Sequence, residues 1–305
     1  ETFAFADDDG ESLSEVAELD TLVTVVDARN FLNDFGSSDQ LVDRQMGLSD
    51  EDDRIVVDLI TEQVEFANVI LLNKCDQVDE DEKHTVLGIL RNLNPRARII
   101  ETVRGRINPA HIVGTGLFSL DESGGQPGWL EAPRGREQPE TDEYGITSFV
   151  YHARRPFHAQ RLWEQLDLED GVLTGVVRSK GFLWIASRHD NAYAWSQAGV
   201  SLHLKPVGLW WAAAPDERWP DDCAENAELL ADIHSNFEEP FGDRRQEIVF
   251  IGIEIDRPVI ESMLEACLLT DEEMREGPAV WSRYDDPLPA IELDADDTEP
   301  TEADR

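Results

Sequence analysis

The sequence predicts an α/β chain in two parts: half of an open parallel sheet, then an α+β domain with a mostly antiparallel sheet. Three observations carry the prediction. Short apolar runs at 21–28, 68–76 and 98–102 alternate with amphipathic helical stretches, the strand-helix-strand order that builds parallel sheets. Residues 121–145 then turn rich in Gly, Pro and charge, as linkers do. Beyond them strand-like runs follow one another closely, with helices interspersed.

Taken in order, residues 1–20, with Asp7, Asp8, Asp9 and Gly10, read as an acidic loop and a short helix. TLVTVVDA (21–28) is β-branched and apolar, which predicts a buried parallel strand ending in Asp27. Ile55, Val56, Leu59, Ile60 and Val64 recur at helical spacing, predicting a helix from about Asp50 to Phe66. NVILLNKCD (68–76) is a second buried strand with polar residues at its carboxyl end. DEDEKHTVLGILRNLNP opens on acids, places Val86, Leu87, Leu90 and Leu93 on one face and closes before Pro95, so it is a crossover helix. RIIET (98–102) is a third strand.

Past the linker, ITSFVYHA, GVLTGVVRSKGFLWIAS, AYAWSQAG, SLHLKPVGLWWAA and QEIVFIGIEI read as strands. FHAQRLWEQL, AENAELLADIHSNF and PVIESMLEACLL, the last with Pro258 near its start, read as helices. The acidic, proline-containing end predicts a disordered tail. The expected organisation is therefore 1–120, a linker at 121–145, a second domain at 146–282 and the tail at 283–305. Phe182, Trp184, Trp195, Trp210 and Trp211 are expected in the core of the second sheet.

Asp and Glu outnumber Lys and Arg 65 to 26, for a formal charge of -39, and only four residues are lysine. Such a chain repels nucleic acid overall. No apolar stretch approaches a membrane span and no secretory leader pattern opens the chain, so a cytoplasmic location is expected. Cys75, Cys223 and Cys267 are widely separated and form no disulfide framework. Each reads as a buried filler.

Chemistry concentrates in Asn73-Lys74-Cys75-Asp76, an N-K-x-D pattern directly after an apolar strand. Guanine presents a ring N–H and an exocyclic amine side by side, and a carboxylate at Asp76 can accept from both. Adenine lacks that donor pair. The stem of Lys74 can lie along the base while Asn73 ties the loop to nearby backbone. Nucleotides bind at the carboxyl ends of strands in such sheets, where this motif falls.

TLVTVVDARNF, EQVEFANVILLNKCD and RIIETVRGRINPAHIVGTGLF resemble the second half of the CobW-type P-loop GTPase domain. YHARRPFHAQRLWEQL, GVVRSKGFLWIASRH and GDRRQEIVFIGIEIDRPVIESMLEACLLTDEE resemble the C-terminal domain of the same family, in order, so the likeness covers about residues 1 to 280. The resemblance implies a GTPase that handles a transition metal, most often zinc with cobalt or iron as alternatives, using GTP or GDP and magnesium and delivering to a client metalloprotein. It implies guanine contacts from Asn73, Lys74 and Asp76, with a second base-contacting loop at Thr102 and Val103. His152 and His158 are the remaining metal candidates; some relatives carry a histidine where this chain has Asn30.

None of the 305 residues forms G-x-x-x-x-G-K-[ST] or C-x-C-C, so no catalytic residue is assigned. The chain opens at Glu1, inside what reads as a loop. The expectation is that it is a portion of a longer protein whose phosphate loop and thiolate site lie upstream, and that alone it does not hydrolyse GTP. The competing reading is a non-catalytic module that docks a client metalloenzyme.

Overall fold

The computed structural model describes residues 17–35, 37, 39, 44, 55–119, 146–166, 171–221, 223 and 226–289. The expected linker at 121–145, the final residues from 290 and most of the expected N-terminal loop and helix lie outside the described residues.

The first sheet has three parallel strands in the order β1-β2-β3: Val23–Asp27, Val69–Asn73 and Arg98–Glu101. Helices α1 (Phe31–Phe35) and α2 (Val56–Glu65) join β1 to β2, and α3 (Glu80–Leu93) joins β2 to β3. The helix expected from Asp50 starts at Val56, with Ile55 as its N-cap; residues 50–54 lie outside the described set. α3 begins in a capping box, the Asp79 carboxylate accepting from Glu82 N–H while the Glu82 side chain accepts from Asp79 N–H. Four consecutive residues of β2, Val69 to Leu72, are buried. β1 departs from the expectation of a buried strand: among the described residues it pairs with β2 alone, and Val25 is 62% and Val23 37% exposed on one face while Val26 points into the core on the other.

The second sheet is antiparallel throughout, in the order β4-β8-β5-β6-β7: Ile146–Ala153, Gln246–Ile253, Val176–Trp184, Asn191–Ala198 and Ser201–Leu209. Helices α4 (Ala159–Gln165) and α6 (Arg257–Cys267) cover one face through a core that includes Phe149, Leu162, Trp195, Phe250 and Leu264. α5 (Ala227–Ser235), α7 (Asp271–Glu276) and α8 (Pro278–Trp281) complete the domain. Trp184, Trp195 and Trp210 are buried as expected, and Phe182 is partly so. Trp211 departs from the expectation: it lies on a short 3-10 turn and packs against Trp219 with ring centroids 5.5 Å apart and planes tilted by 57°.

Two expectations about the chain's periphery are also corrected. Residues 283–289, placed in the tail, stay on the fold, because Arg188 donates to the Asp286 carboxylate at 2.6 Å and to the Leu288 and Pro289 carbonyls. Cys223, expected to be buried, is exposed, whereas Cys267 is buried.

The two domains share one core. Val26, Phe31, Val57 and Ile70 of the first pack with Ile146, Val177, Ala198 and Ile251 of the second. Glu65, at the end of α2, and Arg178, in β5, form an ion pair across this seam at 2.7 Å, their side chains 2% and 5% exposed. Arg178 also donates to Ser196 Oγ and the Gln197 carbonyl, so the buried guanidinium is shared among several acceptors. Gly199 closes the seam at φ +50°, where a Cβ would stand 2.1 Å from the Phe35 carbonyl oxygen.

Candidate guanine-binding site

β2 delivers the N-K-x-D residues to the carboxyl edge of the parallel sheet, because its apolar run ends at Asn73 and the chain then enters a 3-10 turn at Cys75–Gln77. Asn73 Oδ1 accepts from Thr102 Oγ1 at 3.1 Å and from Gly105 N–H at 3.0 Å. Thr102 is itself buried, its N–H donating to the Leu72 carbonyl and its own carbonyl accepting from Cys75 N–H. The loops after β2 and β3 are thus laced together by the Asn73 side chain and by the backbone bond from Cys75 to Thr102.

Lys74 adopts a left-handed conformation, φ 63°, uncommon for a residue with a long side chain. That turn sends its ammonium 2.6 Å from Asp27 Oδ2, at the end of β1. Asp27 accepts further bonds from Arg29 N–H and Asn30 Nδ2. Burial pushes the Asp27 carboxyl upward, but the Lys74 bond and charge with the two further donors outweigh it and hold the group below its ordinary value. Asp76 is exposed and makes no hydrogen bond to another described residue, leaving both carboxylate oxygens free. Cys75 is partly buried; its Sγ donates to the Leu72 carbonyl and burial raises its thiol pKa, so it fills space beneath the loop. Val103 is 40% exposed beside the same edge, and Arg104 and Gly105 turn with positive φ.

The structure therefore brings Asn73, Lys74, Asp76, Thr102 and Val103 to one rim. Asp27 and Gly105 belong with them and are what the sequence pattern missed as partners. Only the strand-terminal position of Asp27 hinted at its part, and nothing marked Gly105.

The histidine candidates do not converge. His152 lies on β4 on the open face of the second sheet, opposite Glu247. His158 caps α4 on the helix-covered side, stacked on Tyr284 at 5.0 Å. Burial lowers the pKa of both. Among the described residues no three His, Cys, Asp or Glu side chains gather as a metal site.

Residues 2–101 match the profile of the CobW/HypB/UreG nucleotide-binding domain and residues 146–268 that of the cobalamin synthesis protein cobW C-terminal domain. The chain belongs to the CobW family. It is 43% identical over 290 residues to the zinc-regulated GTPase metalloprotein activator 1 of Dictyostelium discoideum, covering 94% of this chain and 60% of that protein. It is 32% identical over 269 residues to a zinc chaperone of Mycobacterium tuberculosis, covering 88% of this chain and 60% of the relative. The chain thus spans about three fifths of the length of these relatives. Among solved structures, the Zn(II)-bound YjiA GTPase from E. coli matches with a TM-score of 0.35 and 20% identity, over 84% of this chain and 64% of that one. No described helix is long and apolar enough to cross a membrane.

Proposed function

We propose that this chain supplies the guanine-recognition edge and the C-terminal domain of a GTP-dependent metallochaperone, a metal insertase for a client metalloprotein. The observation that carries the reading is the free Asp76 carboxylate beside an asparagine already braced by Thr102 and Gly105. A carboxylate just past a strand end with no partner among the described residues is complementary to the paired donors of guanine. Lys74, turned across the rim toward Asp27, lays its stem where the base plane would rest.

Zinc is the metal favoured over cobalt or iron, because two relatives bear zinc in their names. The reading assigns base selection to the rim at Asn73, Lys74 and Asp76, and gives no described residue to metal ligation, magnesium or phosphate contact. On that reading the 305 residues alone do not turn over GTP, since phosphoryl transfer depends on positioning and neutralising the phosphates.

The test is a titration of the chain with fluorescently labelled GDP and ADP. Guanine-selective binding that Asp76→Ala abolishes supports the proposal. Asp76→Asn should then turn preference toward the xanthine nucleotide, whose 2-oxo group accepts where guanine donates. Equal retention of ADP would end the claim of guanine selectivity.

A further inference from the structure

Among the described residues, the face of the five-stranded sheet opposite α4 and α6 is covered at both ends and open between them. At one end Ile251, Arg178 and Ala198 pair across the strands and lie beneath the first domain. At the other, Trp184 and Ala192 pair beneath Phe241 and Trp281. Two rows remain between these walls. Val150, Val249, Lys180, Ser196 and His203 align across all five strands, and next to them His152, Glu247, Phe182, Ala194 and Lys205 do the same. Val150, His152, His203 and Lys205 are exposed, and the others are partly so.

The dimensions suit a helix. Arg178 and Trp184, six residues apart on β5, set the walls about 20 Å apart, and five strands give a floor about 19 Å wide. A helix with its side chains is about 10–12 Å across, and roughly 13 residues span that floor. Val150, Val249, Phe182 and Ala194 offer it apolar footing.

Charge selects the helix. The chain carries -39 and four lysines. Lys74 and Lys83 are engaged by Asp27, Glu80 and Glu101. Lys180 and Lys205 form no ion pair or hydrogen bond with described residues; of the acids nearby, Glu247 is paired with Arg245, Asp58 with His203 and Glu65 with Arg178, while Glu65 and Glu62 act on Lys180 through their charge alone. Burial lowers the Lys180 pKa, and the charges of Glu65 and Glu62 only partly oppose it.

We propose that this trough docks an acidic amphipathic helix of a partner protein, its apolar stripe on the Phe182 floor and its carboxylates on Lys180 and Lys205. The overall acidity of the chain opposes such a partner only at long range, because at about 0.1 M salt fields are screened beyond roughly 10 Å. The proposal is independent of the guanine reading.

The probe is a peptide of about 13 residues with Leu at helical spacing and Glu on its flanks, compared with the same peptide carrying Lys for Glu. It is titrated against the full 305-residue chain, and lysines are then acetylated and mapped by mass spectrometry. Expected are preferential binding of the acidic peptide and protection of Lys180 and Lys205 but not Lys83. Joint Lys180→Met and Lys205→Gln replacement, which removes both charges without burying a carboxylate, should cost roughly tenfold or more in affinity at unchanged melting temperature. Equal binding of both peptides, or binding without protection of these lysines, overturns the proposal. Protection in the free chain that disappears on deleting residues 290–305 also overturns it, by showing that the chain's own end is the occupant.

Discussion

Two cross-element ion pairs, one at the domain seam and one at the guanine loop, are built for opposite purposes. Glu65 and Arg178 are almost wholly out of water, whereas Lys74 and Asp27 keep 41% and 29% of their side chains exposed. A buried pair contributes little net stability against an apolar pair of the same shape, yet is costly to break because one charge is left stranded. An exposed pair is worth about 0–1 kcal/mol either way. The seam pair therefore fixes which surfaces of the two domains meet, and the loop pair fixes where one ammonium points.

The largest expected effect breaks the seam. Arg178→Met strands the Glu65 carboxylate and should cost about 3–5 kcal/mol in urea unfolding, with most of the loss recovered when Glu65→Leu is added. A single-variant cost below about 1 kcal/mol would erase the contrast between the two pairs.

A half-buried group whose neighbouring carboxylate, Asp190, is already paired with Arg244 sharpens the same contrast. Burial, and then the Arg244 charge, hold the His189 imidazole at about 4 against an ordinary value of 6.5. Its folded pKa is depressed, so the unfolded chain takes up the proton first as pH falls. The stability tied to neutral His189 is present above about pH 6.5 and is lost as pH falls toward 4. Because the ring is partly accessible, the loss should be on the order of 1–3 kcal/mol. Melting curves across that window should slope accordingly for the native chain and flatten for His189→Gln.

The contrast also explains how much the sequence disclosed. Strand runs such as VILLN and the Asp79–Glu82 cap are local signals and read through directly. The exposure of Val25 was not legible, because a β-branched run looks the same whether or not both of its faces are covered. At the rim, N-K-x-D was visible because its residues are contiguous. Asp27 and Gly105, about 47 and 31 residues from Lys74 in sequence, join it only through folding. The trough on the second sheet was hidden for the same reason: Lys180 and Lys205 share a face only by strand register.

A smaller effect probes the lacing of the rim. Thr102→Val keeps the side-chain shape but removes the donor to Asn73 Oδ1. Gly105 N–H still holds the asparagine, so the stability cost should be about 1 kcal/mol. If Asn73 is braced to serve the base, guanine nucleotide affinity should fall while adenine nucleotide binding stays at background. An unchanged guanine affinity would reduce this hydrogen bond to loop packing alone.

The smallest stability effect, and the sharpest test of the comparison, lies at Lys74. Lys74→Met keeps the aliphatic stem and deletes the ammonium that sits 2.6 Å from Asp27, so urea unfolding at neutral pH should shift by less than about 1 kcal/mol. The change belongs instead in the Asp27 titration. With the ammonium gone, burial is opposed only by the Arg29 and Asn30 donors, and the carboxyl pKa should move upward from its depressed position. In the native chain a depressed folded pKa gives a contribution present above the unfolded carboxylate value and lost as pH falls through the folded one; in Lys74→Met that acid-side loss should shrink or reverse. NMR titration of Asp27 in both proteins, read beside guanine nucleotide affinity, separates the outcomes. A moved pKa with weakened guanine binding makes the pair a positioning device, and a moved pKa with unchanged binding makes it a tie between β1 and β2 only.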